Sequence, residues 1–321
     1  ISQRLLYTST ERNIKMERLL KKYEHNPVMS PDRMPIPCLY TFNPGAIRFG
    51  EEYILMMDVT TLDDIHRIWI ARSRDGIHFT PDPNPPKWPA PDPINPEMNT
   101  YDPRITKFGE DYIIIYASDL GQNECRLGIV KTRDFEHFER VSIASELGNR
   151  NGALFPEKIN GLYCRLDRPF GNEQDPCAMW VSYSPDLVFW GKSEPVKYNG
   201  KPFMDGFKMG AGGVPIRVKE GWLEIYHTVS TTCNGFIYRL KACILDAENP
   251  AKVLGYTKDF LLWPEHDYEM RGRVANVTFA CNALPDADGN LRIYYGAADT
   301  NIGLATGRID EIVRACLANR G

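Results

Sequence analysis

The sequence lacks the cysteine patterns that mark metal sites and disulfide frameworks. Eight cysteines are spread over 321 residues, none forms a C-x-x-C pair, and the two nearest in sequence, Cys233 and Cys243, are ten residues apart. Such spacing indicates neither a zinc site nor a set of disulfides. We therefore expect small, buried, unpaired thiols in a reducing compartment, and no bound metal.

Long hydrophobic runs and blocks of basic residues are also absent. The longest apolar runs, such as the five residues from Tyr112 to Tyr116, are far shorter than the roughly 20 that span a bilayer. Residues 1–6 lack the apolar core of a signal peptide, so we expect a cytoplasmic protein with no membrane partner. With 38 basic and 42 acidic side chains, a net charge of −4 and no Lys/Arg block, nucleic acid is not an expected partner.

Helical periodicity is confined to the two ends of the chain. The segment Glu11–Tyr23 has apolar residues at 16, 19, 20 and 23, which share one helical face. A second such segment, Asp310–Leu317, closes the chain. The pattern predicts a helical extension over residues 1–24 and a helix over 309–319, both packed on the main body as structural lids.

Glycine and proline are plentiful, at 25 and 24 residues, and are scattered along the chain, which predicts many short elements separated by turns. A turn followed by an aromatic residue or leucine that opens an apolar strand recurs five times, at 53, 112, 163, 222 and 291. Each copy begins as a hairpin and continues into a third strand. Five such repeats predict an all-β fold, a five-bladed β-propeller, formed by residues 1–321 as a single domain.

The first three repeats share an aspartate with an aromatic residue four positions later. These aspartates are Asp75, Asp134 and Asp186. We expect each carboxylate to accept backbone N–H groups in a turn, while the aromatic side chain packs under the next strand. The prediction for these three residues is structural, not catalytic.

Polar residues fall in register across the repeats, where the innermost strands of a propeller surround its channel. Asn43 and Asp102 each lie ten residues before the strand-opening residue, and both precede proline. Five residues after it lie Asp58, Ala117, Arg168, His227 and Gly296. This variety suggests convergence on a ligand, although a merely water-lined channel would look the same.

Two further basic residues adjoin glycines and could bind an anion. They are Arg150, in Asn149-Arg150-Asn151-Gly152, and Lys208, close to Gly210. The run Gly-Ala-Gly-Gly at 210–213 lacks the spacing of a nucleotide-binding motif. We therefore expect no nucleotide cofactor.

Several ordered motifs together carry a family resemblance that runs from about residue 25 to the C-terminus. They are Phe42-Asn43-Pro44-Gly45-Ala46, Tyr101-Asp102-Pro103-Arg104, Asn149-Arg150-Asn151-Gly152, Leu154-Phe155-Pro156-Glu157-Lys158-Ile159, Arg165-Leu166-Asp167-Arg168-Pro169, Tyr226-His227 and Tyr294-Tyr295-Gly296-Ala297-Ala298-Asp299-Thr300. The sequence resembles glycoside hydrolase family 130, the inverting β-mannoside phosphorylases. The resemblance implies a five-bladed propeller and a glycosyltransferase-type enzyme. Its substrates would be a β-mannoside and inorganic phosphate, its product α-D-mannose 1-phosphate, and it would use no metal or organic cofactor.

The resemblance also implies roles for individual residues. Asp102 matches the single catalytic acid, which in the family is thought to protonate the glycosidic oxygen through the 3-hydroxyl of the mannosyl unit. Asn43 and Asp299 match residues that hold the mannosyl hydroxyls. The phosphate-binding set of the family is matched by Arg150, Arg168, Lys208 and His227, assisted by Tyr238.

The acceptor side of the expected site is less well defined. Tyr101 and Asp58 are expected to contact substrate, but many relatives carry Arg where this chain has Asp58. Trp88, Trp263 and His266 stand in loops and are further candidates for acceptor recognition, and the two tryptophans could equally be packing residues or sugar contacts. The favoured substrates are β-1,4-mannosyl-glucose or a short β-manno-oligosaccharide, with N-acetylglucosamine acceptors and β-1,2 linkages left open, as is homo-oligomer formation.

Two other functions remain as alternatives to phosphorolysis. A hydrolase of the same family would use water and two carboxylates and would lack the basic residues found here. A non-catalytic sugar-binding propeller would keep the groove without its chemistry. The combination of Asp102 with four basic residues favours the phosphorylase.

Overall fold

Each of the five sequence repeats forms a small antiparallel sheet, and the five sheets, blades 1 to 5, form a ring. The computed structural model describes residues 18–90, 96–119, 125–143, 145–170 and 177–318. Neighbouring blades pack against one another, and blade 5 packs against blade 1, so the ring is closed. The predicted five-bladed β-propeller is confirmed.

The strands follow one another around the ring in chain order. They are β1 (Leu20–Lys22); β2 (Cys38–Phe49), β3 (Glu52–Thr61), β4 (His66–Ser73) and β5 (Thr80–Pro81) of blade 1; β6 (Asn99–Phe108), β7 (Asp111–Asp119), β8 (Arg126–Thr132) and β9 (Glu139–Ile143) of blade 2; β10 (Asn149–Leu154), β11 (Tyr163–Pro169), β12 (Trp180–Ser184) and β13 (Gly191–Pro195) of blade 3; the separate hairpin β14 (Lys197–Tyr198) and β15 (Lys201–Pro202); β16 (Lys208–Ala211), β17 (Ile216–Val218), β18 (Gly221–Thr232), β19 (Gly235–Leu245) and β20 (Val253–Tyr256) of blade 4; and β21 (Thr278–Ala280), β22 (Leu284–Pro285), β23 (Asn290–Ala297) and β24 (Asn301–Arg308) of blade 5. The helices are a 3-10 turn at Pro31–Arg33, the single turn α1 (Asp267–Met270) and α2 (Ile309–Leu317).

The second strand of each blade is largely buried on both faces, which explains the nearly continuous apolar sequences of β3 and β7. In β3, Ile54 and Met56 pack toward blade 2, whereas Leu55 and Met57 pack toward blade 5. Successive side chains of a strand point to opposite faces, so the run is shared between two inter-blade cores. Burying each such side chain contributes about 1.5–3 kcal/mol. The hydrophobic core therefore lies between blades and leaves the channel to polar groups.

The N-terminal strand β1 closes the ring as the outer strand of blade 5. It pairs antiparallel with β24, Leu20 opposite Gly307 and Lys22 opposite Ala305. The predicted helix is wrong at these residues; residues 1–17 lie outside the described part of the chain. The edge of β24 offers backbone groups that need partners, and pairing there also buries Leu20 to 2% exposure. Long-range pairing thus overrides the local helical pattern.

The helix predicted for the C-terminus is confirmed as α2, whose Ile312, Val313 and Cys316 are buried against the blade 4–blade 5 core. With nine residues it is the longest helix in the described ranges, and none of those helices is long and apolar enough to cross a membrane.

The aspartate turns predicted from the repeat are also confirmed. Oδ1 of Asp75 accepts the backbone N–H groups of Ile77 and His78 at 2.8 and 2.9 Å. Asp134 and Asp186 accept the corresponding N–H groups in blades 2 and 3. These carboxylates stabilise the turns that connect the third and fourth strands, which is a structural role.

Candidate active site

A cavity of about 500 Å³ lies where the innermost strands of the five blades meet. Nine of the ten predicted site residues line it: Asn43, Asp58, Tyr101, Asp102, Arg150, Arg168, Lys208, Tyr238 and Asp299. The tenth, His227, is fully buried behind the lining, with its Nε2 3.2 Å from Nη1 of Arg168. The structure therefore brings the whole predicted set together.

Three innermost strands carry a bulge that directs a polar side chain into this cavity. The register shifts between Phe42 and Gly45 in β2, between Tyr101 and Arg104 in β6 and between Arg150 and Ala153 in β10. The bulges place Asn43, Asp102 and Asn151 at φ values of 41°, 51° and 56°. Asn and Asp tolerate this left-handed conformation better than other side chains, and a bulge reorients the side chain that it contains.

The register inferred from the repeat holds in the sheets. Each position five residues after the strand-opening residue pairs with an innermost-strand residue. The pairs are Asp58 with Phe42, Ala117 with Tyr101, Arg168 with Arg150, His227 with Gly210, and Gly296 with Phe279. Glycine at two of these positions makes room: a Cβ on Gly210 would lie 2.7 Å from Oδ1 of Asn151, and one on Gly296 would overlap Asn43.

Charged side chains are unevenly distributed around the ring. Blades 3 and 4 supply Arg150, Arg168 and Lys208, whereas blades 5, 1 and 2 supply Asp299, Asp58 and Asp102 together with the cation Arg273. Asp102 stands on the blade that adjoins the basic side. An anion and a sugar could therefore lie side by side in the cavity, with the carboxyl group of Asp102 at their junction.

The basic side is desolvated and self-repelling. Burial, reinforced by Arg168 and Arg150, lowers the pKa of Lys208 to about 8. Burial and the nearby cations also hold the pKa of His227 well below its usual range, so its ring, 4.6 Å from that of Phe279, is neutral. The Nε atoms of Arg150 and Arg168 are buried without a hydrogen-bond partner among the described residues. Such a cluster favours a bound anion, which would neutralise the cations and satisfy their donors.

The acidic side contains carboxyl groups that share a small volume. Nδ2 of Asn43 donates to Oδ1 of Asp102 at 2.8 Å. Burial, together with the charges of Asp102 and Asp58, raises the pKa of Asp299 to about 7. Burial raises the pKa of Asp58 to about 6 even though His66 opposes the shift. Asp299 and Asp58 can therefore exchange protons near neutral pH.

Comparison with known proteins places the chain in a family. The model of glycoside hydrolase family 130, described as β-1,4-mannooligosaccharide phosphorylase, matches residues 10–317. The chain belongs to glycoside hydrolase family 130. This family-130 protein is 36% identical over 301 residues to a β-1,4-mannooligosaccharide phosphorylase of Ruminococcus albus, covering 91% of this chain and 89% of the relative. It is 33% identical to a 1,2-β-oligomannan phosphorylase of Thermoanaerobacter, covering 91% and 98%.

A solved structure gives the same assignment. The β-1,2-mannobiose phosphorylase of Listeria innocua, in complex with β-1,2-mannobiose, superposes with a TM-score of 0.81 at 28% identity. The match covers 94% of the family-130 protein and 99% of that chain. The predicted family and the predicted enzyme class, a phosphorylase of the β-mannoside type, are thereby confirmed.

Several cavity residues of the family-130 protein escaped the sequence analysis. Asn151 carried a usable signal, because it precedes Gly152 as Asn43 and Asp102 precede proline. His66, Arg273 and Phe279 also line the cavity, but no repeat or motif marked them.

The two tryptophans considered as sugar contacts lie elsewhere. Trp88 packs against Tyr116 and Phe138, with ring centroids 5.1 and 5.3 Å away, and Trp263 lies under the guanidinium of Arg18. His266, the third loop residue considered, precedes α1 and is not among the cavity residues.

Proposed function

We propose that this chain catalyses the inverting phosphorolysis of a β-1,4-linked manno-oligosaccharide and releases α-D-mannose 1-phosphate. The observation that carries the proposal is the cavity itself, in which Asp102 borders a buried cluster of Arg150, Arg168 and Lys208. A hydrolase needs a second carboxylate to activate water but no anion site. A buried cationic cluster is costly unless an anion fills it, so the geometry favours phosphate as the nucleophile.

The mechanism follows from the uneven distribution of charge. Arg150, Arg168 and Lys208 would hold phosphate by charge-assisted hydrogen bonds beside the anomeric carbon. A phosphate oxygen bonds to that carbon as the glycosidic C–O bond breaks on the opposite face, so the configuration inverts. The departing oxygen takes a proton from Asp102, directly or through the 3-hydroxyl as the family resemblance implies. The proton lost by phosphate returns to Asp102 through solvent.

Asn43 would orient the acid. Its Nδ2 donates to Oδ1 of Asp102, which leaves Oδ2 as the oxygen that carries the transferred proton. The bulge fixes both residues on adjacent innermost strands, and proline follows each of them. The pair is therefore organised before the substrate binds.

The β-1,4 linkage is supported by the matching family model and by the Ruminococcus albus relative. The test is to incubate purified protein with β-1,4-mannobiose, β-1,2-mannobiose or β-1,4-mannosyl-glucose, each with and without phosphate. Phosphate-dependent α-mannose 1-phosphate, detected by ³¹P NMR and formed fastest from the β-1,4-manno-oligosaccharide, is expected. Free mannose without phosphate would identify a hydrolase, and no turnover of any β-mannoside would identify a binding protein.

A further inference from the structure

The blade 1 wall of the cavity carries a chain of three side chains that the mechanism above does not use. Asp58, on β3, is 0% exposed, and its two oxygens lie 2.9 and 3.0 Å from Nδ1 of His66, the first residue of β4. Nε2 of the same ring lies 2.7 Å from Nη1 of Arg273, which comes from the segment between α1 and β21. All three residues line the cavity.

These contacts determine the tautomer of His66. A guanidinium has donors only, so Nε2 must accept from Arg273 and the ring proton must lie on Nδ1, where it is donated to Asp58. An imidazolium, with hydrogen on both nitrogens, could not accept from Arg273. Asp58 therefore fixes the ring, and the ring holds the guanidinium.

The segment that carries Arg273 is anchored by a buried carboxylate. Glu269 is 0% exposed and accepts hydrogen bonds from Lys22 and Tyr295, each at 2.7 Å. It also accepts the backbone N–H groups of Glu265 and His266 at 2.8 and 3.0 Å. The turn of α1 is thereby attached to blade 5 and to the strand that closes the ring.

Arg273 is consequently both exposed and held in place. Its backbone N–H donates to Oγ1 of Thr300 at 2.9 Å, and its guanidinium lies 5.5 and 5.9 Å from the rings of Tyr40 and Phe42. Within the described residues, the hydrogen bonds of this guanidinium all involve Nη1. The Nε and Nη2 donors are thus presented on a rigid cation, which reduces the entropic cost of binding.

The stereochemistry of the reaction indicates what these donors face. Inversion requires that the entering phosphate and the leaving sugar lie on opposite sides of the anomeric carbon. The phosphate-binding cations belong to blades 3 and 4, so the leaving sugar lies toward blades 5 and 1. That side of the cavity is lined by Arg273 and His66.

We propose that Arg273 binds the leaving sugar, which is the acceptor in the reverse reaction, by donating hydrogen bonds to its hydroxyl oxygens. Asp58 and His66 are positioning residues that act through Arg273. This inference rests on the proposed function for the direction of attack. It assigns to Asp58 an indirect role, because both of its oxygens face His66.

The first experiment measures synthesis from α-mannose 1-phosphate and mannose. In Arg273→Ala the KM for mannose rises about tenfold or more, since hydrogen bonds to a charged group are lost, while the KM for α-mannose 1-phosphate stays within twofold. The matched control is Arg271→Ala, two residues away, whose side chain is 81% exposed and is not among the cavity residues. Equal behaviour of the two variants would overturn the proposal.

The second experiment tests the positioning role. Asp58→Asn and His66→Gln each raise the KM for mannose, but add less than twofold when combined with Arg273→Ala, because their effect passes through that residue. Full additivity, or a fall in kcat without a change in the KM for mannose, would contradict the positioning role. Thermal melts that match the wild type show that each variant is folded.

A calorimetric titration separates this inference from the proposed function. Phosphate-free wild type and Arg271→Ala bind β-1,4-mannobiose with equal affinity, and Arg273→Ala binds about tenfold more weakly. Binding with this pattern but without turnover would refute phosphorolysis and retain the role of Arg273. Turnover with Arg273-independent binding would retain phosphorolysis and refute that role, and no binding to the wild type would refute both.

Discussion

Replacing Gly296 by alanine is expected to disable the acid of the site although the substitution adds one methyl group on another blade. The added Cβ would overlap Oδ1 of Asn43 and lie 2.9 Å from its backbone nitrogen and 3.1 Å from its Cγ. The backbone of Asn43 is held in β2, so the overlap must be relieved by its side chain. When that side chain moves, its 2.8 Å hydrogen bond to Asp102 is lost.

The size of the effect follows from that hydrogen bond. A bond to a charged group contributes about 1.5–3 kcal/mol, and each 1.36 kcal/mol in a barrier changes a rate about tenfold. We expect kcat/KM for phosphorolysis to fall about 10- to 150-fold. Overpacking also costs about 1–3 kcal/mol of stability, so Tm falls by a few degrees while the protein remains folded.

The assay is phosphate-dependent release of α-mannose 1-phosphate, measured beside thermal melts. Gly191→Ala, on the outer strand β13, is the matched control because a Cβ there meets no atom within 4 Å. In an Asn43→Ala background, Gly296→Ala should lower kcat/KM less than twofold further. Wild-type kcat/KM in Gly296→Ala alone, or full additivity of the two changes, would refute the role assigned to Asn43.

Three further predictions concern the charged groups. Asp102→Asn should lower kcat about 100- to 10,000-fold, the usual contribution of a general acid or base, with an unchanged Tm since Asn also tolerates φ of 51°; near-native kcat would remove Asp102 from the mechanism. Lys208 is cationic only below its pKa of about 8, so inhibition by sulfate should weaken in the wild type as pH rises through 8. In Lys208→Met inhibition should be weaker and independent of pH, whereas Lys201→Met should behave like the wild type. A wild-type pH profile in Lys208→Met would contradict this prediction. Burial lowers the pKa of the His66 imidazole, but the hydrogen bond and charge of Asp58 raise it above its ordinary value, so the ring, which faces Arg273, Asp102 and Asp299, gains a proton as the pH falls through that pKa. The ring then loses its acceptor nitrogen, and the KM for mannose should rise in the wild type but not in Arg273→Ala.

Local sequence patterns were sufficient where a feature depends on near neighbours. The aspartate of each turn accepts N–H groups two and three residues away, so Asp75 could be interpreted from its own segment. The register of Arg168 and His227 could likewise be inferred, because the second strands are buried on both faces and repeat at similar spacing.

Long-range contacts account for what could not be predicted. The strand at Leu20–Lys22 depends on a partner almost the whole chain away, so its helical pattern was misleading. The contact between His66 and Arg273 joins residues 207 positions apart. It depends on how blade 5 meets blade 1, and no periodicity encodes that packing.

The sequence by itself determined the five repeats, the strands within them, the family, and the ten residues expected in one site. The repeats and strands follow from alternation and turn chemistry, which are local properties of the chain, and the family and the roles of the site residues follow from the resemblance that the motifs carry. The tertiary structure decided how the ring closes, that Arg150, Arg168 and Lys208 meet on blades 3 and 4, and that Asp58 faces His66 rather than offering its oxygens to a ligand. These depend on which strands become neighbours when the blades pack, and that packing is a property of the closed ring.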